Sequence, residues 1–188
     1  MAYLIAGLGN IGAEYANTRH NIGFKVLDAL ADASNISFNS DRYGSVAEWR
    51  YKGKKVYLLK PSTYMNLSGK AVRYWLQQTG TPQENLLVVL DDLALPFGSA
   101  RMRKQGSDGG HNGLKNINEL LGNSNYSRIR VGIGNDFGKG HQVDYVLGEW
   151  TSEEKKEMPF LVDHVADGIR AFLDFGPDRA MNTFNTKK

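Results

Sequence analysis

The sequence predicts an α/β protein of one domain: a twisted, mostly parallel mixed sheet with helices on both faces. Three observations carry this. Short apolar runs of strand length alternate with longer segments of helical periodicity, the pattern of a covered sheet. Two pairs of strand-like runs read as hairpins, which makes the sheet mixed rather than purely parallel. At 188 residues, with no repeat, linker or low-complexity stretch, the chain suits a single domain spanning residues 1–188.

Element by element, residues 3–8 read as a buried strand. Residues 21–33 place Ile22, Phe24, Val26, Leu27, Ala29 and Leu30 at largely helical spacing. Residues 45–51 and 55–60 are strands joined through Lys52, Gly53 and Lys54. A helix over 68–79 ends before Gly80, and 86–90 is a fully buried strand. Residues 99–104 alternate like an edge strand, and a helix over 114–121 stops at Gly122. A strand over 128–133 and a long amphipathic helix over 153–175 complete the pattern. Lys187-Lys188 reads as a frayed tail. In such folds a ligand sits beyond the carboxyl ends of the strands, so the loops after Leu8 and Leu90 are the first places to look.

Composition removes several function classes. Hydrophobic residues make up 41% and charged residues 23%, ordinary for a soluble globular protein. No apolar run approaches the roughly 18 residues of a membrane span. The N-terminus lacks a basic region and reads as a strand, not a signal peptide. There is no cysteine, which removes disulfides, thiolate metal sites and cysteine nucleophiles and suits a cytoplasmic location. Nothing suggests a dimer seam, so a monomer is expected. The formal net charge is only +3, but it is unevenly spread. Residues 41–80 hold eight Lys/Arg against two acids and residues 99–140 seven against three, whereas Glu84, Asp91 and Asp92 stand in a stretch without basic residues. A basic surface beside an acidic spot suits a polyanionic ligand near a titratable group, although solvated faces account for the charge equally well.

Gly7-Leu8-Gly9-Asn10-Ile11-Gly12 spells a dinucleotide fingerprint. Its context is poor, because helical periodicity begins only near Asn21 and no second strand ends in an acid. His20 and Asn21 sit near the start of that helix, and His111 and Asn112 repeat the His-Asn pair in Gly109-Gly110-His111-Asn112-Gly113. A lone histidine at a helix start is usually a cap. Two such pairs in glycine-rich loops indicate backbone turned toward a ligand. Asp91 closes a buried strand, where a carboxylate needs a partner, and an imidazole whose tautomer it fixes is a natural one. With no cysteine and no G-x-S-x-G elbow, a His-activated water is the simplest nucleophile. Asn10, Asn66 and Asn112 carry amide donors suited to a developing oxyanion. The four histidines lack the tight spacing of a metal site, so no metal is expected.

These segments also carry a resemblance. Gly7-Leu8-Gly9-Asn10, Tyr15, Thr18-Arg19-His20-Asn21 and Gly23-Phe24 resemble the opening signature of bacterial-type peptidyl-tRNA hydrolases. Met65-Asn66-Leu67-Ser68-Gly69 and the segment from Gly106 through His111 to Lys115 resemble the family's second and third motifs. Arg128 to Gly134 and Asp144 to Gly148 also match in order and spacing. The resemblance runs from about Leu4 to Leu147. It implies hydrolysis of the ester between a peptide and the tRNA 3′ end, recycling peptidyl-tRNA dropped from ribosomes, with no cofactor. It casts His20 as the base that activates water and Asp91 as the residue that keeps it basic. Asn10 would contact the peptide and help reject aminoacyl-tRNA with a free amine. Tyr15, Tyr64, Asn66 and Asn112 would line the groove, His111 would support it, and Arg103 and Arg130 would hold tRNA phosphates.

Ile11 departs from the family's usual proline, Ala94 from a commonly acidic residue, and Asn135-Asp136 from a basic-proline pair, so no role is carried to that pair. Tyr15 and Tyr64 read alternatively as core aromatics, and Arg103 and Arg130 as a solvated face. Tyr74, Trp75 and Phe172 sit in helical patterns that favour packing. A non-catalytic RNA-binding module is the alternative to an enzyme; it has no use for both His20 and Asp91.

Overall fold

A computed structural model describes residues 1–185, and the Lys187-Lys188 tail lies outside the described residues. The strands are β1 (Ala2–Gly7), β2 (Asn39–Asp41), β3 (Gly44–Tyr51), β4 (Lys54–Pro61), β5 (Leu86–Asp92), β6 (Ala100–Arg103) and β7 (Ser127–Gly132). They form one sheet in the order β2-β3-β4-β1-β5-β7-β6. The central pairings, β4 with β1, β1 with β5 and β5 with β7, are parallel. The outer pairings, β2 with β3, β3 with β4 and β6 with β7, are antiparallel. The hairpin between β3 and β4 turns on Lys52 and Gly53, both at positive φ (49° and 80°), which matches the right-handed twist of the strands.

Helices α1 (Ile22–Ala33), α5 (Ser152–Phe175) and α6 (Pro177–Phe184) cover one face, and α2 (Ser68–Thr79) and α3 (Asn112–Leu121) the other. The alternation of β5 divides its apolar residues between them. Leu87 and Val89 pack with Val26, Leu27 and Val165, whereas Leu86, Val88 and Leu90 pack with Val72, Leu114 and Ile117. Each fully buried aliphatic side chain contributes about 1.5–3 kcal/mol of transfer free energy. Helix α5 starts at a capping box, with Thr151 accepting from the Glu154 backbone and Glu154 reaching back. Helix α2 ends at Gly80, whose φ of 67° is the left-handed stop expected of glycine.

The glycine-rich opening segment is a packing device. A side chain on Gly7 would run into the Gly23 carbonyl, and one on Gly23 would meet the Leu8 backbone at 2.5 Å. This pair lets α1 press directly on the end of β1. Only a three-residue 3-10 turn, Ala13–Tyr15, directly follows Gly12, and α1 starts at Ile22, so the pyrophosphate-binding α-helix N-terminus of a dinucleotide site is missing there. Three elements lacked a sequence signal. Strand β2 is Asn39-Ser40-Asp41, exposed throughout, and α4 (Gln142–Val146) is a single short turn. Helix α6 restarts at Pro177 after Gly176 and holds Phe184 against Gly168 of α5.

Candidate active site

Asp91 is the second-last residue of β5 and only 3% exposed. Its Oδ2 lies 2.7 Å from His20 Nδ1 and its Oδ1 lies 2.7 Å from His111 Nε2. The two imidazoles come from opposite layers of the fold. His20 belongs to a short 3-10 turn leading into α1, and His111 caps the N-terminus of α3. Burial pushes the Asp91 carboxyl up, but the charge and hydrogen bonds of His111 and His20 outweigh it and hold the pKa well below the usual carboxylate range. An ionised carboxylate only accepts, so both facing ring nitrogens carry hydrogens. His111 Nδ1 accepts from the Gly113 and Leu114 backbone N–H groups at 3.1 and 3.2 Å, so both of its ring nitrogens are engaged. His20 differs. Its Nδ1–H is spent on Asp91, and among the described residues Nε2 has no hydrogen-bond partner, so its lone pair is available to the cleft.

Asn10 follows β1 and is fixed on three sides. Its backbone N–H donates to Asn21 Oδ1 and its carbonyl accepts from Asn21 Nδ2, each at 2.8 Å. Its side-chain Oδ1 accepts from the Met65 N–H at 2.7 Å. That bond fixes the amide orientation and leaves only the Nδ2 donors free. Arg19, beside His20, is buried and straps the entry of α1 to the chain around α4. It donates to the Tyr145 carbonyl at 3.1 Å, pairs with Glu154 at 3.2 Å and lies 4.1 Å over the Tyr145 ring. Its backbone N–H bonds to the Gly148 carbonyl.

His20, Asp91, His111, Asn112 and Arg130 line one cleft of about 360 Å³, together with the apolar Phe137, Val143 and Val146. A larger groove of about 510 Å³ between α1 and α5, lined by Lys25, Trp150, Met158 and Val162, contains no such hydrogen-bonded set of titratable groups, which makes the smaller cleft the candidate site. Ligand atoms of His20, Asp91 and His111 lie within 4.8 Å of one another, as a metal site would require. Both carboxylate oxygens and both His111 nitrogens already have hydrogen-bond partners, and a cation held by all three residues would displace them.

Residues 4–188 match the sequence profile of peptidyl-tRNA hydrolases. The chain belongs to the peptidyl-tRNA hydrolase family. A curated relative of that name from Cytophaga hutchinsonii is 55% identical over 188 residues, covering all of both chains. Another from Phocaeicola vulgatus is 58% identical over 187 residues, again covering both chains. A crystal structure of peptidyl-tRNA hydrolase from Acinetobacter baumannii superposes with a TM-score of 0.93 at 36% identity, covering 100% of this chain and 96% of that one.

The structure separates the residues singled out from sequence. His20, Asp91, His111, Asn112 and Arg130 converge on the cleft, and Asn10 is tied to Asn21, the neighbour of His20 in sequence. Tyr64 is 54% exposed and introduces the 3-10 turn that carries exposed Asn66. This does not fit the alternative reading of Tyr64 as a core aromatic. Tyr15 is half-buried and ends its own 3-10 turn. Arg103 is not part of the cleft. It pairs with Arg128 on β7, two residues farther down the sheet than the Arg101–Arg130 pair, and is exposed. Arg130 donates to the Ser107 carbonyl and fully buried Arg128 to the Gly106 carbonyl, so both tie down the loop that delivers His111. Sequence reasoning missed Arg19, Asn21 and Arg128. Arg19 and Asn21 flank His20 in its motif, but nothing local marks a cation or amide for burial.

Proposed function

We propose that this chain hydrolyses the ester joining a peptide to the 3′ end of tRNA, with His20 as the base that activates water. It acts as a cytoplasmic monomer. The observation that carries this reading is the Asp91–His20 pair, with Nδ1 committed to the carboxylate and Nε2 free toward the cleft. Water attacks the ester carbonyl as Nε2 takes its proton, and the ionised Asp91 stabilises the imidazolium that forms. Negative charge collects on the former carbonyl oxygen, where amide donors such as Asn112 are suited to meet it. Collapse breaks the bond to the ribose oxygen, which leaves with a proton from His20. The products are free tRNA and a peptide carboxylate.

His111 supports the site through Asp91. Asn10 reads the blocked amine: with Oδ1 spent on Met65, it offers only N–H donors, which suit a peptide carbonyl and oppose a free α-ammonium group. Tyr15, Tyr64 and Asn66 line the approach of the peptide and terminal nucleotide, and Arg130 and Arg103 hold phosphates. No cofactor takes part. Among the described residues no helix is long and apolar enough to cross a membrane.

The test is release of N-acetyl-amino acid from N-acetyl-aminoacyl-tRNA with a chelator present. His20→Ala should lose on the order of 10²–10⁴-fold in rate while keeping its fold and its affinity for tRNA. Activity within about fivefold of the unmodified protein would refute the assignment of the base. Activity lost only on chelation points to a metal instead.

A further inference from the structure

The edge of the sheet remote from Arg103 and Arg130 carries a cluster that the proposed chemistry does not use. The turn between β2 and β3 presents Arg42 and Tyr43, and one face of α2 presents Lys70, Arg73 and Tyr74 at i, i+3 and i+4 spacing. The Tyr43 and Tyr74 rings meet edge-on at 5.4 Å. Arg42 lies 5.2 Å over one ring and 5.3 Å over the other, and Lys70 lies 5.4 Å over Tyr43. The tyrosines are half-buried and the three cations are exposed. Among the described residues none of these cations has an ion-pair partner. Asp41, the adjacent carboxylate, accepts from the Arg42 backbone N–H instead.

The cluster is held in place by bonds to its surroundings. Tyr43 sits at φ 63°, an uncommon conformation for a bulky residue that persists only when neighbours enforce it. The Tyr43 carbonyl accepts from the Ser62 N–H at 2.7 Å, and the Arg42 carbonyl accepts from Trp75 Nε1 at 2.7 Å. The first bond joins the turn to the segment carrying Tyr64 and Asn66. Gly44 pairs with Pro61 at the end of β4, so the cluster stands at the same end of the sheet as Asp91. Arg42, by hydrogen bond and by charge, and then Lys70 and Arg73 hold the Tyr43 hydroxyl below its ordinary range.

We propose that Arg42, Tyr43, Lys70, Arg73 and Tyr74 form a second RNA-binding surface, which holds tRNA phosphates with its cations and an unpaired base against its tyrosines. Paired phosphate and stacking contacts are how proteins grip nucleic acid without reading sequence. Five strand spacings of about 4.8 Å, on the order of 25 Å, separate β2 from β7. The cluster and Arg130 therefore reach different phosphates, with the catalytic cleft between them. This rests on the reading that peptidyl-tRNA is the substrate.

The experiment measures binding of deacylated tRNA between about 50 and 200 mM salt, with hydrolysis of N-acetyl-aminoacyl-tRNA followed in parallel. Arg42→Ala/Arg73→Ala should weaken binding severalfold and flatten the log–log salt slope by about 0.7–0.9 for each phosphate no longer neutralised. Arg73→Glu, at an exposed helix position, is the second variant should the first fold poorly, and it should weaken binding at least as much. For both, kcat/KM on whole substrate should fall relative to that on an N-acetyl-aminoacyl ester of adenosine alone. Unmodified protein that binds and cleaves the tRNA substrate, beside variants with the same Kd and slope, would overturn the second surface and leave the hydrolase reading intact. Unmodified protein that neither binds tRNA nor cleaves the ester would overturn both. Variants that keep tRNA affinity but lose a preference for acidic over neutral peptides on the adenosine ester would make this a peptide surface and also overturn the proposal.

Discussion

Asp91 Oδ1 accepts from His111 Nε2 at 2.7 Å, while His111 Nδ1 accepts two backbone N–H groups at the start of α3. His111 therefore has no freedom of tautomer: its Nε2 must donate, and the atom facing it must accept. The same carboxylate must accept from His20 through its other oxygen. Two donors converge on one side chain, and only a carboxylate satisfies both.

Asp91→Asn should for this reason cost more than a loss of charge. An asparagine presents one oxygen and one NH2. If the NH2 faces His111, two donors oppose each other. If it faces His20, that ring must carry its hydrogen on Nε2 and ceases to be a base toward the cleft. We expect kcat/KM to fall nearly as far as in His20→Ala, with the acidic limb of the residual pH–rate profile moved to lower pH because the imidazolium has lost its counter-charge. A mutant within fivefold of the unmodified protein, or an unmoved limb, would show that the pair does not work together.

Acid stability follows from the same carboxylate. Its folded-state pKa is depressed, so it stabilises the fold fully above its unfolded value, about 3.9. That contribution is lost as pH falls from there through the folded value. Unfolding free energy should drop below about pH 4 with a contribution from this one group of up to roughly 1.4 kcal/mol per pH unit. Asp91→Asn should lack that contribution. Denaturant titrations of the two proteins from pH 5 to pH 2 test it, and parallel acid limbs would contradict it.

Asn10 should govern selectivity more than rate. Asn10→Ala removes the free Nδ2 donors and also leaves the buried Met65 N–H without its acceptor, a cost of about 1–3 kcal/mol in stability. The ratio of kcat/KM for N-acetyl-aminoacyl-tRNA over aminoacyl-tRNA should shrink toward one. Equal losses on both substrates would assign Asn10 to general positioning.

Arg130 and Arg103 should differ. Both are proposed to meet phosphates, and replacing either with alanine should raise KM for whole peptidyl-tRNA and flatten its salt dependence. Arg130 also lines the cleft and bonds to the Ser107 carbonyl, so Arg130→Ala should cost some activity on the adenosine ester as well. Arg103 stands farther down the edge strand, and its loss should be confined to whole tRNA. Equal defects on the small ester would make both arginines supports of the groove.

Local pattern in the sequence was enough to determine the sheet-and-helix alternation, the hairpin at Lys52-Gly53, the stop at Gly80 and the placing of Asn10 and Asp91 at strand ends. These follow from periodicity, turn chemistry and capping, which act between near neighbours. The residue types also left water and a histidine as the simplest hydrolytic chemistry. Tertiary structure alone decided how the site is wired. It turned Asp91 toward the two histidines, whereas Asp92, half-buried in the lining of the same cleft, accepts from the Ala94 N–H. It brought His20 to Asp91 across 71 positions, Asn10 to Met65 across 55 and Arg19 to Tyr145 across 126. It also buried Arg19, Asn21 and Arg128 and left Arg103 outside the cleft. The reason is physical: hydrogen bonds between distant segments are selected by the packed geometry of both helix layers on the sheet, and they impose no periodicity on the chain that forms them.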